Sequence, residues 1–480
     1  MSFRFDNSWL RDLDGSFLRL APDAAPAPQL LVFNRPLAQE LGLDPAVLEA
    51  EGAGWFSGAA LPEGAEPAAL AYAGHQFGGF SPVLGDGRAH LLGEFLTPDG
   101  WRFDLQLKGS GRTPFSRGGD GKAALGPMLR EYLISEAMAA LGVPTTRSLA
   151  VVTTGEAVRR EDGALPGAVL ARVAASHIRV GSFQFHAARG DAPRLKALAD
   201  YAIARHYPDL AGTPQPYLAF FDAVTARQVD LIARWMGLGF VHGVMNTDNM
   251  AISGETIDYG PCAFMEDYAP GTVFSSIDRQ GRYAWANQPL ILAWNLARLA
   301  EALLGLFDAD PERAVDLANT RLEAIAGAYR AAWLAVMRGK LGLAAEAPED
   351  GALVDDLLAA MQGADWTLVF HRLSGAVAAD TAALRALFPD FAAMQAWLPR
   401  WRARLGACAP EAVAAQMRAV NPAVIPRNHR VEEALAAAGA GDMAPFQALL
   451  AAVQAPFRED EAYMLPAPSG FGPYVTFCGT

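Results

Sequence analysis

The chain has 480 residues and a formal net charge of −13, with 52% apolar and 19% charged residues. Such a balance buries a sizeable core and excludes global disorder, and the negative field opposes a nucleic-acid partner. Three cysteines are too few for a disulfide framework. On a prior of roughly 150 residues per domain the length predicts about three units of structure.

No apolar signal-peptide run opens the chain, and its most apolar stretch, residues 289–307, is interrupted by Asn295, Arg298 and Glu301. It reads as a buried amphipathic helix rather than a membrane span, so a soluble, cytoplasmic protein with no membrane partner is expected.

Residues 1–75 read as an extension rich in Ala, Pro and Leu, with a short helical pattern at 36–43 and no catalytic signal. Residues 76–185 change to strands and glycine turns. Residues 101–108 alternate apolar and polar, after the turn Thr97-Pro98-Asp99-Gly100 and an apolar run at 91–96, which predicts a β-hairpin. A polar glycine-rich loop at 109–121 precedes a helix bounded by Pro127 and Gly142, and strand-like runs follow at 148–153 and 167–173. Residues 186–400 are mostly helical apart from extended runs and turns at 240–260, and residues 401–480 form a last helical region with a cysteine-bearing tail. The order predicts an α+β, bilobal, protein-kinase-like fold: a β-rich N-lobe, then a helical C-lobe with helical extensions.

Four motifs carry chemistry. In Leu84-Gly85-Asp86-Gly87-Arg88, Gly85 and Gly87 let backbone approach phosphate and Arg88 adds charge; an ordinary Asp-Gly turn reads the same. His90 stands where a G-x-G-x-x-G loop has its third glycine. Lys108 lies on the polar face of its strand, and the next helix carries Glu131 and Glu136. A lysine held by a helical carboxylate is a phosphate-positioning pair in kinases, and Glu131 is the preferred partner; a surface lysine is the plainer reading. The loop at 109–122 brings Arg112, Arg117 and Lys122 among glycines, as an anion cradle or a flexible linker.

The fourth motif is the most specific. His242-Gly243-Val244-Met245-Asn246-Thr247-Asp248-Asn249 is followed by Thr256-Ile257-Asp258-Tyr259-Gly260. Counted as the kinase loop H-R-D-x-x-x-x-N, the metal-binding asparagine falls on Asn249, and Asp258-Tyr259-Gly260 stands for D-F-G. Residues 250–255 read as a strand and tight turn between them. Oxygen ligands of this kind suit Mg²⁺ or Mn²⁺. The kinase base falls on Val244, which accepts no proton, while an aspartate reappears at Asp248.

Those strings, with Gln106-Leu107-Lys108-Gly109-Ser110-Gly111, Leu129-Arg130-Glu131-Tyr132 and Asp258-Tyr259-Gly260-Pro261, together resemble the selenoprotein O family, protein adenylyltransferases on a pseudokinase fold. The resemblance implies ATP bound in a flipped orientation and AMP moved to Ser, Thr or Tyr of protein substrates, with pyrophosphate leaving. It implies nucleotide contacts from Gly85, Gly87, Arg88, Lys108, Asp120, Gly121, Arg172, Arg179 and Asp258. Asn249 and Asp258 then hold Mg²⁺ or Mn²⁺, and Asp248 is the proton acceptor. From residue type alone Arg172 and Arg179 read as surface side chains. Cys478 stands near the C-terminus, where many eukaryotic members carry selenocysteine, and a redox bond between Cys262 and Cys478 is expected; two unconnected thiols is the alternative. Cys408 reads as a core residue. A kinase moving the γ-phosphate with Asp248 as a displaced base, a nucleotide-binding scaffold, and a thiol oxidoreductase without a C-x-x-C motif are the competing readings.

Overall fold

Alternation builds the first layer. In the strand Arg102–Lys108, Leu105 and Leu107 face one side of the sheet and Asp104, Gln106 and Lys108 the other. All five are buried, because protein covers both faces. A computed structural model describes residues 3–160, 163–407 and 409–477. Its main sheet is antiparallel, in the order Phe17–Arg19, Ala68–Leu70, Ala89–Leu96, Arg102–Lys108, Gly163–Ala174, Arg147–Arg160, Gln29–Phe33, with Ala123–Ala124 added against Gly163–Ala174. The expected hairpin forms, its register running from Ala89↔Lys108 to Leu96↔Arg102 with a bulge between Leu91 and Gly93. Residues ahead of position 75 supply both edge strands.

On one face Phe3, Leu37, Leu48 and Phe56 pack against Leu92, Phe95, Leu105 and Leu107. On the other lies the helix Leu125–Ala140, with Met128, Leu129, Tyr132 and Leu133 against Val151 and Leu170. The late helices Asn428–Gly439 and Ala444–Val453 cover that helix through Val431, Phe446 and Leu449. The C-terminal region is thereby a structural cover for the sheet half of the protein.

The helical half is built on Pro216–Leu238, Gln288–Phe307 and Pro311–Leu341. Each carries a proline in its first turn, and Gly239 and Gly342, both at φ +71, close the first and third. Trp285–Phe307 is long and apolar enough to cross a membrane, with half of its apolar window buried inside the protein. Ile291, Leu292, Leu296, Leu299 and Leu303 form its core face. Asn295 does not break that face: it is buried, and its amide donates to the Met245 carbonyl at 3.0 Å, tying the helix to the loop at 240–260.

Lys340 is 5% exposed, with Nζ 4.2 Å from the centre of the Phe370 ring. Burial lowers its pKa from 10.5 to about 7. The folded state releases its proton near pH 7 whereas the unfolded chain keeps it to pH 10.5, so this group adds stability as pH rises through that interval and withdraws it as pH falls. Lys340→Met is therefore expected to stabilise the protein by about 1–2 kcal/mol at pH 7, the ring offsetting part of the cost of burial. In urea titrations the gain should shrink toward pH 9; a destabilised variant at pH 7 would contradict it.

Candidate active site

The polar face of the central strands meets the helix Leu125–Ala140 and the segment around Asp258. Lys108 Nζ lies 2.6 Å from Glu131 Oε2 and 2.6 Å from Asp258 Oδ1. Glu136, the other candidate, faces away and holds Arg147 Nη2 at 2.8 Å and the Ser148 amide at 3.1 Å. Strand register sets Arg172 opposite Gln106. Arg172 Nη1 reaches Asp258 Oδ1 at 2.7 Å and Glu131 Oε1 at 3.1 Å, and its Nη2 reaches Gln106 Oε1 at 2.5 Å. Arg179 opens the helix Val180–Ala187 and lies 3.5 Å from Asp86 and 3.8 Å from Asp258, its guanidinium 4.3 Å from the centre of the Tyr72 ring.

The two arginines are 2% and 1% exposed, which corrects their reading as surface residues. Their buried charge is matched locally, Lys108, Arg172 and Arg179 against Glu131, Asp86 and Asp258. Burial works to raise the Asp258 pKa, but the three cations outweigh it and hold this carboxyl well below its usual range. Among the described residues Nε and Nη1 of Arg179 nevertheless find no hydrogen-bond partner, though both are buried. Each unsatisfied donor costs about 1–3 kcal/mol, which an anion's oxygens would recover.

Asp258 has φ +62, a left-handed conformation that its neighbours must hold. The Gly260 amide donates to the Asp258 carbonyl at 2.8 Å, and Arg130 Nη1 donates to the Gly260 carbonyl at 2.6 Å. One helix thus places Glu131 against Lys108 and Arg130 against the segment after Asp258.

His242 is fully buried, stacked on Trp235, with Nε2 2.9 Å from the Ile257 carbonyl; burial lowers its pKa. It braces the loop. Val244 is buried as well. The short 3₁₀ turn Thr247–Asn249 presents the two polar candidates. Asn249 Nδ2 donates to the Val244 carbonyl at 3.0 Å, which leaves its oxygen as the free donor atom for a cation. Asp248 is 7% exposed and accepts from Gln76 Nε2 at 3.1 Å through Oδ2, while its buried Oδ1 has no hydrogen-bond partner among the described residues. Burial, countered in part by the Gln76 hydrogen bond, pushes its pKa up to about 6. Of the strand and tight turn expected at 250–255, the strand reduces to one bridge, Ala251 with Arg179, and the turn forms at Gly254 (φ +80) with the Ser253–Glu255 hydrogen bond.

Among the described residues no three His, Cys, Asp or Glu side chains cluster as a self-sufficient metal site. Asn249 and Asp258 are two hard oxygen donors, one charged, and that set fits Mg²⁺ or Mn²⁺ completed by phosphate and water.

The glycine motif is folded under the loop at 109–122. Gly85 (φ +65) lies so close to the Phe115 ring that a Cβ would stand 2.3 Å from it, and a Cβ on Gly87 would stand 2.9 Å from the Phe115 carbonyl. Thr113 Oγ1 donates to the Asp86 carbonyl at 2.7 Å, and Ser116 bonds the Gly87 carbonyl. Arg88 is half-buried at the foot of the next strand. His90, which replaces the third glycine, is buried against Ser110 Oγ at 2.7 Å, and burial lowers its pKa to about 4. The loop's cations are divided: Lys122 pairs with Glu156 at 2.7 Å, while Arg112 and Arg117 are exposed. Asp120 is exposed and accepts from Arg160 at 2.9 Å, and Gly121 (φ +70) abuts the Gly111 carbonyl.

Cys262 is buried beside Arg130, and burial raises its thiol pKa. Cys408 and the expected redox partner Cys478 lie outside the described residues. The tail ahead of Cys478 does reach this region, Thr476 Oγ1 donating to the Pro261 carbonyl at 2.8 Å. Reading by motif passed over Asp86, Gln106, Tyr72 and Gln76. Gln106 was accessible, two positions before Lys108 on an alternating strand; Tyr72 and Gln76 leave no periodic signal.

A family model described as "Protein adenylyltransferase SelO" matches residues 2–454. The chain belongs to this family. It is 66% identical over 486 residues, the whole length of both chains, to a "Protein nucleotidyltransferase YdiU" of Cereibacter sphaeroides strain KD131. Proteins of the same name from Rhodopseudomonas palustris and Rhizobium leguminosarum are 58% and 57% identical, over 100% of this chain and 99% and 98% of theirs. SelO membership makes the protein an enzyme of the nucleotidyltransferase class.

Proposed function

We propose that the protein transfers AMP from ATP to Ser, Thr or Tyr hydroxyls of other proteins, on a bilobal kinase-like scaffold that holds the nucleotide reversed. The acceptor oxygen bonds to the α-phosphorus, the α–β bridging P–O bond breaks, pyrophosphate leaves, and the hydroxyl proton passes to Asp248. Lys108, Arg172 and Arg179 receive the phosphates, helped by Arg88 and by the loop from Gly109 through Asp120 and Gly121 once it parts from Gly85 and Gly87. Asn249 and Asp258 would hold Mg²⁺ or Mn²⁺, which supplies charge neutralisation at the phosphates.

Family membership carries the choice of AMP. The buried Arg179 donors without a partner support phosphates at the inner end of the site, and Val244 supports a base other than the kinase one. ATP labelled separately at the α- and γ-phosphates tests the reaction: α-label, and not γ-label, is expected on the acceptor. Transfer of γ-label would replace this reading with the kinase one.

A further inference from the structure

We infer that Gln76 is a positioning residue for Asp248, its side-chain amide setting the orientation of the carboxylate that takes the acceptor's proton. The inference rests on the reading of Asp248 as that proton acceptor. Gln76 ends the first strand of a two-stranded hairpin, Gly74–Gln76 and Gly79–Ser81, which stands apart from the main sheet. Its amide makes the side-chain hydrogen bond to Asp248, at 3.1 Å, and among the described residues the other carboxylate oxygen has no partner. The Gln76 bond is therefore the side-chain restraint on the rotation of this carboxylate about its Cβ–Cγ axis, beside the close approach of Gly74 to Oδ1.

The hairpin is built to aim that bond. Both neighbours of Gln76 are clamped to the two residues preceding Asp248: the His75 amide donates to Thr247 Oγ1 at 2.7 Å, and the Phe77 amide to Asn246 Oδ1 at 3.2 Å. Each clamp is braced again. Thr247 Oγ1 donates to Gln184 Oε1 at 2.7 Å while Gln184 Nε2 meets His75 Nδ1 at 2.9 Å, and Tyr283 OH donates to Asn246 Oδ1 at 2.6 Å. Close approach requires glycine at the strand's start, since a Cβ on Gly74 would stand 2.5 Å from Asp248 Oδ1. A loop with a purely architectural task has no need for an amide donor on the carboxylate, because the backbone clamps already hold it.

The test replaces Gln76 with Met, which keeps length and removes the donor, in the wild-type and Asp248→Asn backgrounds. Gln76→Met is expected to lower kcat about tenfold. ATP affinity by calorimetry and the melting temperature should stay as in wild type, and the substitution should cost nothing further in the Asp248→Asn background. Unchanged kcat, or an equal loss in both backgrounds, would overturn the inference while leaving Asp248 in its role. A fall in melting temperature or ATP affinity matching the fall in kcat would assign Gln76 to architecture instead. Wild-type kcat in Asp248→Asn would remove the reading of Asp248 and this inference with it.

Discussion

Asp258→Asn is expected to slow AMP transfer roughly 10³-fold while leaving ATP binding in the absence of divalent metal intact or tighter. Asp258 meets three cations at once, with Lys108 and Arg172 at 2.6 and 2.7 Å and Arg179 at 3.8 Å. It is also one of two oxygen ligands proposed for the metal. Losing metal-assisted charge stabilisation worth about 4 kcal/mol corresponds to a fall of roughly 10³ in kcat. Neutralising the residue leaves the cations short of one negative charge, and ATP phosphates offer a replacement. The variant should be less stable without nucleotide by about 2 kcal/mol, discounted because the Asp258 side chain is 23% exposed. Calorimetry in EDTA, with and without ATP, should show that loss and a larger nucleotide-induced rise in melting temperature than in wild type. A variant that no longer binds ATP without metal would contradict the charge argument.

Asp248→Asn is expected to separate turnover from stability in the opposite direction. Removing a general base typically costs 10²–10⁴ in rate, so kcat should fall about 10²–10³-fold with ATP affinity retained. The amide keeps the shape of the side chain and can still accept from Gln76. It also removes a carboxylate whose charge burial disfavours, so the folded protein should gain up to about 1 kcal/mol at pH 8. Slow transfer with a raised melting temperature is the pattern that marks a residue kept for chemistry at the expense of packing. A variant both slower and less stable would point to a structural role.

Legibility followed the range of the interactions. The hairpin at 89–108 could be read because alternation and a turn lie within twenty residues of one another. Asn249 and Asp258 could be singled out as candidates because loop chemistry is local and their spacing is short. The burial of Arg172 and Arg179 could not be read, since a spacing of seven between two arginines says nothing of depth. Their depth comes from a strand register with Gln106 and a helix start beside Asp86. At 250–255 the tight turn forms at Gly254 and the strand shrinks to a bridge at Ala251, and the strands before residue 75 were missed because three to five residues are too few to show a period.

The sequence by itself determined the order of elements, the alternation that puts Lys108 on a polar face, the absence of a base at Val244 and the family. Only the tertiary structure decided that this polar face is an interior. Lys108, Arg172, Arg179, Glu131 and Asp258 come from five separate segments, and burying them is tolerable only when opposite charges meet within about 4 Å. The same packing chose Glu131 over Glu136, which lie five residues apart on a helix of 3.6 residues per turn, about 140° apart around its axis, and so face different partners.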